Sequence, residues 1–148
     1  MRTDVKLTNI CPVFVSANVK ETVKYYVDVL GFRYANHFDK IDTFATVYRD
    51  AIEIVVVQSK KGGTESNIQR YGAGYDAYID TDTLEGVEYL HQEYQQKGVK
   101  ILTSPHITDY GSLEFTFEDI DGRVFGVGLI SDKETYFRHS NYLGDASD

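Results

Sequence analysis

The chain has 148 residues, 42% of them apolar, which fits one globular domain and excludes a largely disordered chain. Its 15 basic and 23 acidic residues leave a net charge of −8, which argues against nucleic acid or an anionic membrane as partner and favours a cationic ligand. The single cysteine, Cys11, closes no intrachain disulfide, and the first residues, Met1 to Lys6, lack the apolar core of a signal peptide, so a cytoplasmic protein is expected.

Residues 8 to 15 read as a short strand, with Pro12 marking an edge or a strand start because it has no N–H to donate. Asn18 followed by Glu21 has the form of a helix-capping pair, and Val19, Val23, Tyr26 and Leu30 then recur on one helical face up to Gly31. Residues 32–38, 43–48 and 51–58 predict three strands, joined by Asp39 to Asp42 and by Arg49-Asp50. The last of them is apolar on both parities except at Glu53, so one carboxylate falls where the pattern asks for burial. Residues 59–74 show no period and read as a linking loop.

The grammar then repeats: a strand near 75–80, a capping pair Asp82 and Glu85, and a helical face of Leu84, Val87, Leu90 and Tyr94 ended by Gly98. Strands near 99–103, 111–118 and 123–130 follow, the last two joined by the turn Asp119-Ile120-Asp121-Gly122. Gly31 and Gly98, like Asp50 and Asp121, recur with a period of about 70 residues, the mark of a duplicated unit. One domain over 1–148 is expected, with one module over about 8–58, a linker over 59–74, a second module over about 75–130, and a polar tail over 131–148 carrying Tyr136, Phe137 and Tyr142.

The stretches Tyr25-Tyr26-Val27-Asp28-Val29-Leu30-Gly31-Phe32 and Tyr110-Gly111-Ser112-Leu113-Glu114-Phe115-Thr116-Phe117-Glu118-Asp119-Ile120-Asp121-Gly122, set in this doubled plan, resemble the vicinal-oxygen-chelate superfamily. Within it the chain is most similar to glyoxalase/bleomycin-resistance-type proteins. The resemblance implies an α+β fold of two βαβββ modules forming a curved mixed sheet around a ligand cup, helices on the outer face, usually completed in a homodimer. In metal-dependent members, His, Glu or Gln side chains on the first, fourth, fifth and eighth strands hold a divalent ion. Those positions carry over to Cys11, Glu53, Asp76 and Gly126. Such a set lacks imidazole and offers too few oxygens for a hard ion, so no metal or other cofactor is expected.

The remaining histidines, His37, His91, His106 and His139, share no ligand spacing; His91 reads as part of a solvated helix face and His106 as a loop residue. A hairpin turning at Arg49-Asp50 puts Phe44, Thr46 and Tyr48 on one face with Ala51, Glu53 and Val55. By the same parity Leu113, Phe115 and Phe117 are expected opposite Val124, Gly126 and Gly128, and Asp76 shares a face with Tyr78 and Asp80. Glycine in a strand often marks room for a ligand, so Gly126 and Gly128 are expected to enlarge the cup. The candidate ligand-binding set is therefore Phe44, Thr46, Tyr48, Glu53, Val55, Asp76, Tyr78, Phe115, Phe117 and Gly126, with no catalytic residue. A structural alternative pairs Glu53 and Asp76 with an arginine such as Arg70 or Arg123 and makes the aromatics ordinary core.

An aromatic-walled, anionic cup suits a planar or cationic small molecule. The expected function is sequestration of such a ligand in a dimeric cup, without a metal and without chemical conversion. One alternative is a divergent divalent-metal-dependent lyase, isomerase or dioxygenase using Glu53 and Asp76. Another is an interaction module in which the fold serves only as a dimer scaffold.

Overall fold

In a computed structural model, residues 4–35 and 43–131 are described. Their elements run β1 (Val13–Ser16), α1 (Val19–Asp28), β2 (Arg33–Ala35), β3 (Phe44–Arg49), β4 (Ile52–Gln58), α2 (Asn67–Tyr71), β5 (Ala77–Asp80), α3 (Leu84–Gln96), β6 (Lys100–Ile107), β7 (Ser112–Glu118) and β8 (Val124–Ile130). This is the α+β, twice-written βαβββ order that the sequence predicts. Residues 36–38 of the second predicted strand, the connection Asp39 to Asp42, His37, His139 and the tail aromatics Tyr136, Phe137 and Tyr142 lie outside the described residues. Among the described residues no helix is long and apolar enough to cross a membrane. The chain divides into two compact units, one of residues up to Glu65 with Ile120–Gly122, the other of Ser66–Asp119 with the chain from Arg123 onward.

The first unit holds a four-stranded sheet in the order β1-β4-β3-β2, with β1 parallel to β4 and the other neighbours antiparallel. Asn18 caps α1 as expected, its side chain accepting from the Glu21 N–H at 3.2 Å. The predicted face Val19, Val23 and Tyr26 is buried, and α1 packs on β3 and β4, whose Ala45, Val47, Ile54 and Val56 are buried. Each fully buried Val or Ile contributes about 1.5–3 kcal/mol, so this alternate-residue stripe is what holds helix to sheet. The β3–β4 hairpin closes over Asp50-Ala51 instead of Arg49-Asp50, with Asp50 at φ 50° and Arg49 opposite Ile52. That moves the register by two residues, which leaves every side chain on its expected face: Thr46 lies opposite Val55 and Tyr48 opposite Glu53.

The second unit repeats the plan in the order β5-β8-β7-β6, with β5 parallel to β8. Three local expectations need correction. The linker contains the short helix α2, held by a reciprocal capping box between Ser66 and Gln69 and ended by Gly72 at φ 74°; five residues are too few to show a period. The cap of α3 is Thr83, whose hydroxyl accepts from the Gly86 N–H at 3.0 Å, in place of Asp82. Strand β6 runs on through Pro105 to Ile107, because an edge strand with irregular pairing to β7 tolerates a missing N–H, and His106 is therefore a strand residue.

His91 is also placed differently. It stands four residues after Val87 and three before Tyr94, on the buried stripe of α3, where its ring meets Phe115 edge-on at 5.3 Å between centroids. Its Nε2 has no hydrogen-bond partner among the described residues.

The correction with the widest consequence concerns β7 and β8. The connection is five residues, Asp119 to Arg123, so Glu118 pairs with Val124, Phe117 with Phe125, Phe115 with Val127 and Glu114 with Gly128. The Asp119 N–H donates to the Arg123 carbonyl at 2.9 Å, and Asp119 in turn accepts from the Arg123 N–H and guanidinium, each at 2.9 Å. Against the expected pairing this is a shift of one residue, which exchanges faces. Phe115 and Phe117 therefore lie with Phe125 and Val127 against α3, where Phe117 stacks on Phe125 at 4.8 Å and meets Tyr94 at 5.1 Å. They do not share a face with Gly126.

Both side chains of the Asp119–Arg123 pair are almost wholly buried, so removing one partner strands the other charge. Arg123→Met is expected to lower unfolding free energy by about 3–5 kcal/mol in urea titration. The exposed Lys24–Asp28 pair serves as control, and Lys24→Ala should leave the urea midpoint unchanged.

A tyrosine-ringed carboxylate as candidate functional site

The face of the second sheet turned away from α3 collects the residues of opposite parity: Ser112, Glu114 and Thr116 on β7, Gly126 and Gly128 on β8, and Tyr78 on β5. Glu114 is 1% exposed. A buried carboxylate is costly unless its oxygens are hydrogen-bonded, and here three tyrosines supply the donors. Tyr75 donates to Oε1 at 2.9 Å and Tyr78 to Oε2 at 2.9 Å. Tyr110 lies against both oxygens, at 2.7 and 2.8 Å. Since the Tyr78 proton is directed to Glu114, the Ser112 hydroxyl, 2.9 Å from the Tyr78 oxygen, acts as donor to it. Among the described residues no Lys, Arg or His forms an ion pair with Glu114.

The glycines of β8 make this arrangement fit. A Cβ on Gly126 would stand 2.7 Å from Tyr75 Cε2 and 2.8 Å from Tyr78 Cδ2, and one on Gly128 would stand 2.7 Å from Glu114 Cβ and 2.8 Å from the Leu113 carbonyl oxygen. The two positions thus take tyrosine rings and strand β7 at close range, instead of enlarging a cavity. The Tyr75 and Tyr78 rings lie over them, 6.1 Å apart at 30°. All three tyrosines keep an open side, at 38%, 41% and 46% exposure for Tyr75, Tyr78 and Tyr110.

Burial, then the hydrogen bond to Glu114, raises the pKa of the Tyr75 hydroxyl. Tyr110 is raised by the same causes in the same order. Tyr78 is pushed up to about 12, chiefly by burial and with Glu114 adding to it, while the Ser112 bond pulls the other way. The hydroxyls therefore stay protonated, and stay donors, throughout the neutral range.

The other candidate residues fall into three groups. Phe44, Thr46, Tyr48, Glu53 and Val55 share the face of the first sheet turned away from α1, with the Arg33 guanidinium 5.7 Å from the Tyr48 ring centroid. Glu53 accepts from Asn9 Nδ2 at 2.6 Å. Asp76 lies just before β5, and both its oxygens are taken by backbone donors, the N–H of Asn67 at 2.9 Å and of Val124 at 2.8 Å. Neither contact is with an arginine, and Arg123 pairs with Asp119. Phe115 and Phe117 belong to the core on the α3 side.

The metal-ligand positions implied by the resemblance do not fit an ion. Asp76 is committed to the backbone, Gly126 has no donor and is covered by Tyr75 and Tyr78, and Cys11 and Glu53 supply only one thiol and one carboxylate. Among the described residues no three His, Cys, Asp or Glu side chains are grouped to hold a metal.

Sequence reasoning missed Tyr75, Tyr110, Ser112 and Glu114. One signal was available: Glu114 interrupts Leu113, Phe115 and Phe117 much as Glu53 interrupts its strand.

A tyrosine whose folded pKa lies above its unfolded value stabilises the fold below the unfolded pKa and ceases to do so as pH rises through the folded one. For Tyr78 that window runs from 10.0 to about 12. Alkaline titration of tyrosinate absorbance should therefore show a late-ionising fraction that moves to lower pH, without vanishing, in Glu114→Gln, because burial is the larger cause of the shift. Gly128→Ala, which meets backbone, is expected to cost about 1–3 kcal/mol in urea titration.

Comparison with known proteins agrees with this architecture. The family described as Glyoxalase/Bleomycin resistance protein/Dioxygenase superfamily matches residues 11–127. A bleomycin-binding protein from bleomycin-producing Streptomyces verticillus, solved with copper(II)-bleomycin, is 21% identical, with 83% of this chain and 96% of that one covered at a TM-score of 0.61. A glyoxalase/bleomycin resistance protein/dioxygenase from Alicyclobacillus acidocaldarius is 15% identical, covering 84% of this chain and 92% of that one at 0.68. A glyoxalase-related enzyme from Clostridium phytofermentans is 12% identical, covering 86% and 98% at 0.65. At these identities the likeness is one of fold, and no curated protein matches significantly. With the family match spanning most of its length, the chain belongs to the glyoxalase/bleomycin resistance protein/dioxygenase superfamily.

Proposed function

We propose that this protein binds a small aromatic or cationic molecule as a homodimer in the cytoplasm, without a metal and without converting it. The observation that carries this reading is Glu114, a buried carboxylate with no cationic partner among the described residues, ringed by three partly exposed tyrosines. A cationic donor that displaces one of those hydroxyls would supply the carboxylate with a charge partner that neutral tyrosines do not give, and tyrosine faces attract both planar rings and cations. The net charge of −8 steers cations toward the protein. The bleomycin-binding relative shows that this fold can hold a small molecule, and the poor donor set at the family's metal positions favours binding over metal chemistry.

The chain has 12 Tyr and no Trp, so its intrinsic fluorescence reports on tyrosines, and ligand docking at the cluster should change it. A panel of aromatic and cationic compounds is expected to include at least one that saturates this signal, with affinity about tenfold or more weaker for Glu114→Gln. Elemental mass spectrometry of protein purified without chelator should find far less than one metal ion per chain. One equivalent of a transition metal, or no saturable ligand in the panel, overturns the proposal.

A further inference from the structure

The hydroxyl of Tyr110 does something the other two do not: it sits between the carboxylate oxygens, 2.7 Å from Oε1 and 2.8 Å from Oε2. It has one proton for two acceptors, whereas a planar fork of two N–H groups fills the same position with one straight bond to each oxygen. We infer that Glu114 is the anchor for an amidinium or guanidinium group of the ligand, which takes the place of the Tyr110 hydroxyl. The inference rests on the small-molecule reading above and names the chemical group that reading leaves open.

Tyr110 is also the tyrosine that can leave. Tyr75 and Tyr78 are wedged over Gly126 and Gly128, and their rings have no room to move inward. Tyr110 is not among the nearest neighbours of either glycine, is the most exposed of the three, and lies in the turn between β6 and β7. The Tyr110 hydroxyl also bonds the Thr108 side chain, but the turn keeps two bonds made by backbone N–H groups, Gly111 N–H to the Thr108 carbonyl at 3.0 Å and Ser112 N–H to the Thr108 hydroxyl at 3.0 Å. The Tyr110 ring can therefore swing out while the strands stay paired. Tyr75 and Tyr78 each bond one oxygen only, so their bonds persist when the fork arrives. Their neighbouring rings, 6.1 Å apart at 30° between planes, put aromatic surface beside the carboxylate for a delocalised planar cation to pack against.

The same geometry rejects a quaternary ammonium. With no N–H to give, it would displace Tyr110 and leave a buried carboxylate short of donors, the costly outcome.

The test is calorimetric titration of wild type, Tyr110→Phe and Glu114→Gln with benzamidine and with benzyltrimethylammonium, which share an aromatic ring and a charge but differ in N–H donors. Benzamidine should bind about tenfold or more tighter than the quaternary salt, and Glu114→Gln should lose about tenfold or more of that affinity. Tyr110→Phe removes the bond the ligand has to break and should bind benzamidine about tenfold tighter. Circular dichroism checks that each variant folds, and if Glu114→Gln does not, Tyr110→Phe decides. Equal or tighter binding of the quaternary salt, or no gain in Tyr110→Phe, overturns the inference. If benzamidine fails while another aromatic or cationic compound binds in a Glu114-dependent way, the small-molecule reading stands alone; if nothing binds, both fall.

Discussion

The residue register between β7 and β8 decides what kind of surface the second sheet presents. A strand alternates its side chains with a period of two, so one residue more or less in the connecting turn exchanges the two faces of the whole hairpin. Asp119 and Arg123 fix that count by closing on each other through backbone and side chain together, in a buried setting where neither charge can be left alone. With the turn so closed, the phenylalanines of β7 fall against α3, and Ser112, Glu114 and Thr116 fall on the other side. A looser turn could trade these roles, and the helix would then meet a carboxylate in place of Phe115.

Once Glu114 is committed to that face, the rest of the face follows from the need to give its oxygens donors. Tyrosine meets the need at low conformational cost, since one rigid ring carries both apolar area and a hydroxyl. Rings of that size come this close to a sheet only where the strand beneath has no side chains, and β8 supplies Gly126 and Gly128 there. Large and small thus alternate across neighbouring strands: Tyr78 over Gly126 in the parallel pair, Glu114 beside Gly128 in the antiparallel one. The first unit repeats the strand order without this complement. Its Glu53 is half-buried and takes a single amide donor from Asn9, while β4 carries valines where β8 carries glycines.

How much of this can be read from residues alone follows from which signals are local. Element order, the caps at Asn18, the closing glycines and the face of α1 depend on near neighbours in the chain, and they are legible. So are the faces of β3 and β4, because an error of two residues in register is harmless. The faces of β7 and β8 are not, because the turn Asp119-Ile120-Asp121-Gly122 reads as a complete four-residue connection and only the fold shows Arg123 drawn into it. His91 shows another limit. Its polar neighbours Gln92 and Glu93 suggest a wet helix face, yet the position three residues before Tyr94 places it inside. The tyrosine cluster joins Tyr75, Tyr78, Tyr110 and Glu114 from two distant stretches, and no period connects them.

The same packing bears on what the superfamily's architecture can hold in this chain. The resemblance places a metal ligand of the eighth strand at Gly126, and even a methyl group there would press on the rings of both Tyr75 and Tyr78. A ligating side chain at that position and the present tyrosine packing exclude each other, so restoring a metal ligand would take more than one substitution. Asp76 points the same way, since its two oxygens hold the N–H groups of Asn67 and Val124 and with them the start of β5 against β8. Turning Asp76 toward an ion would leave those backbone donors short of partners. In this chain two of the four positions, Asp76 and Gly126, have been drawn into building the tyrosine-covered face, and the carboxylate at the centre of that face is Glu114, on a strand that carries none of the four.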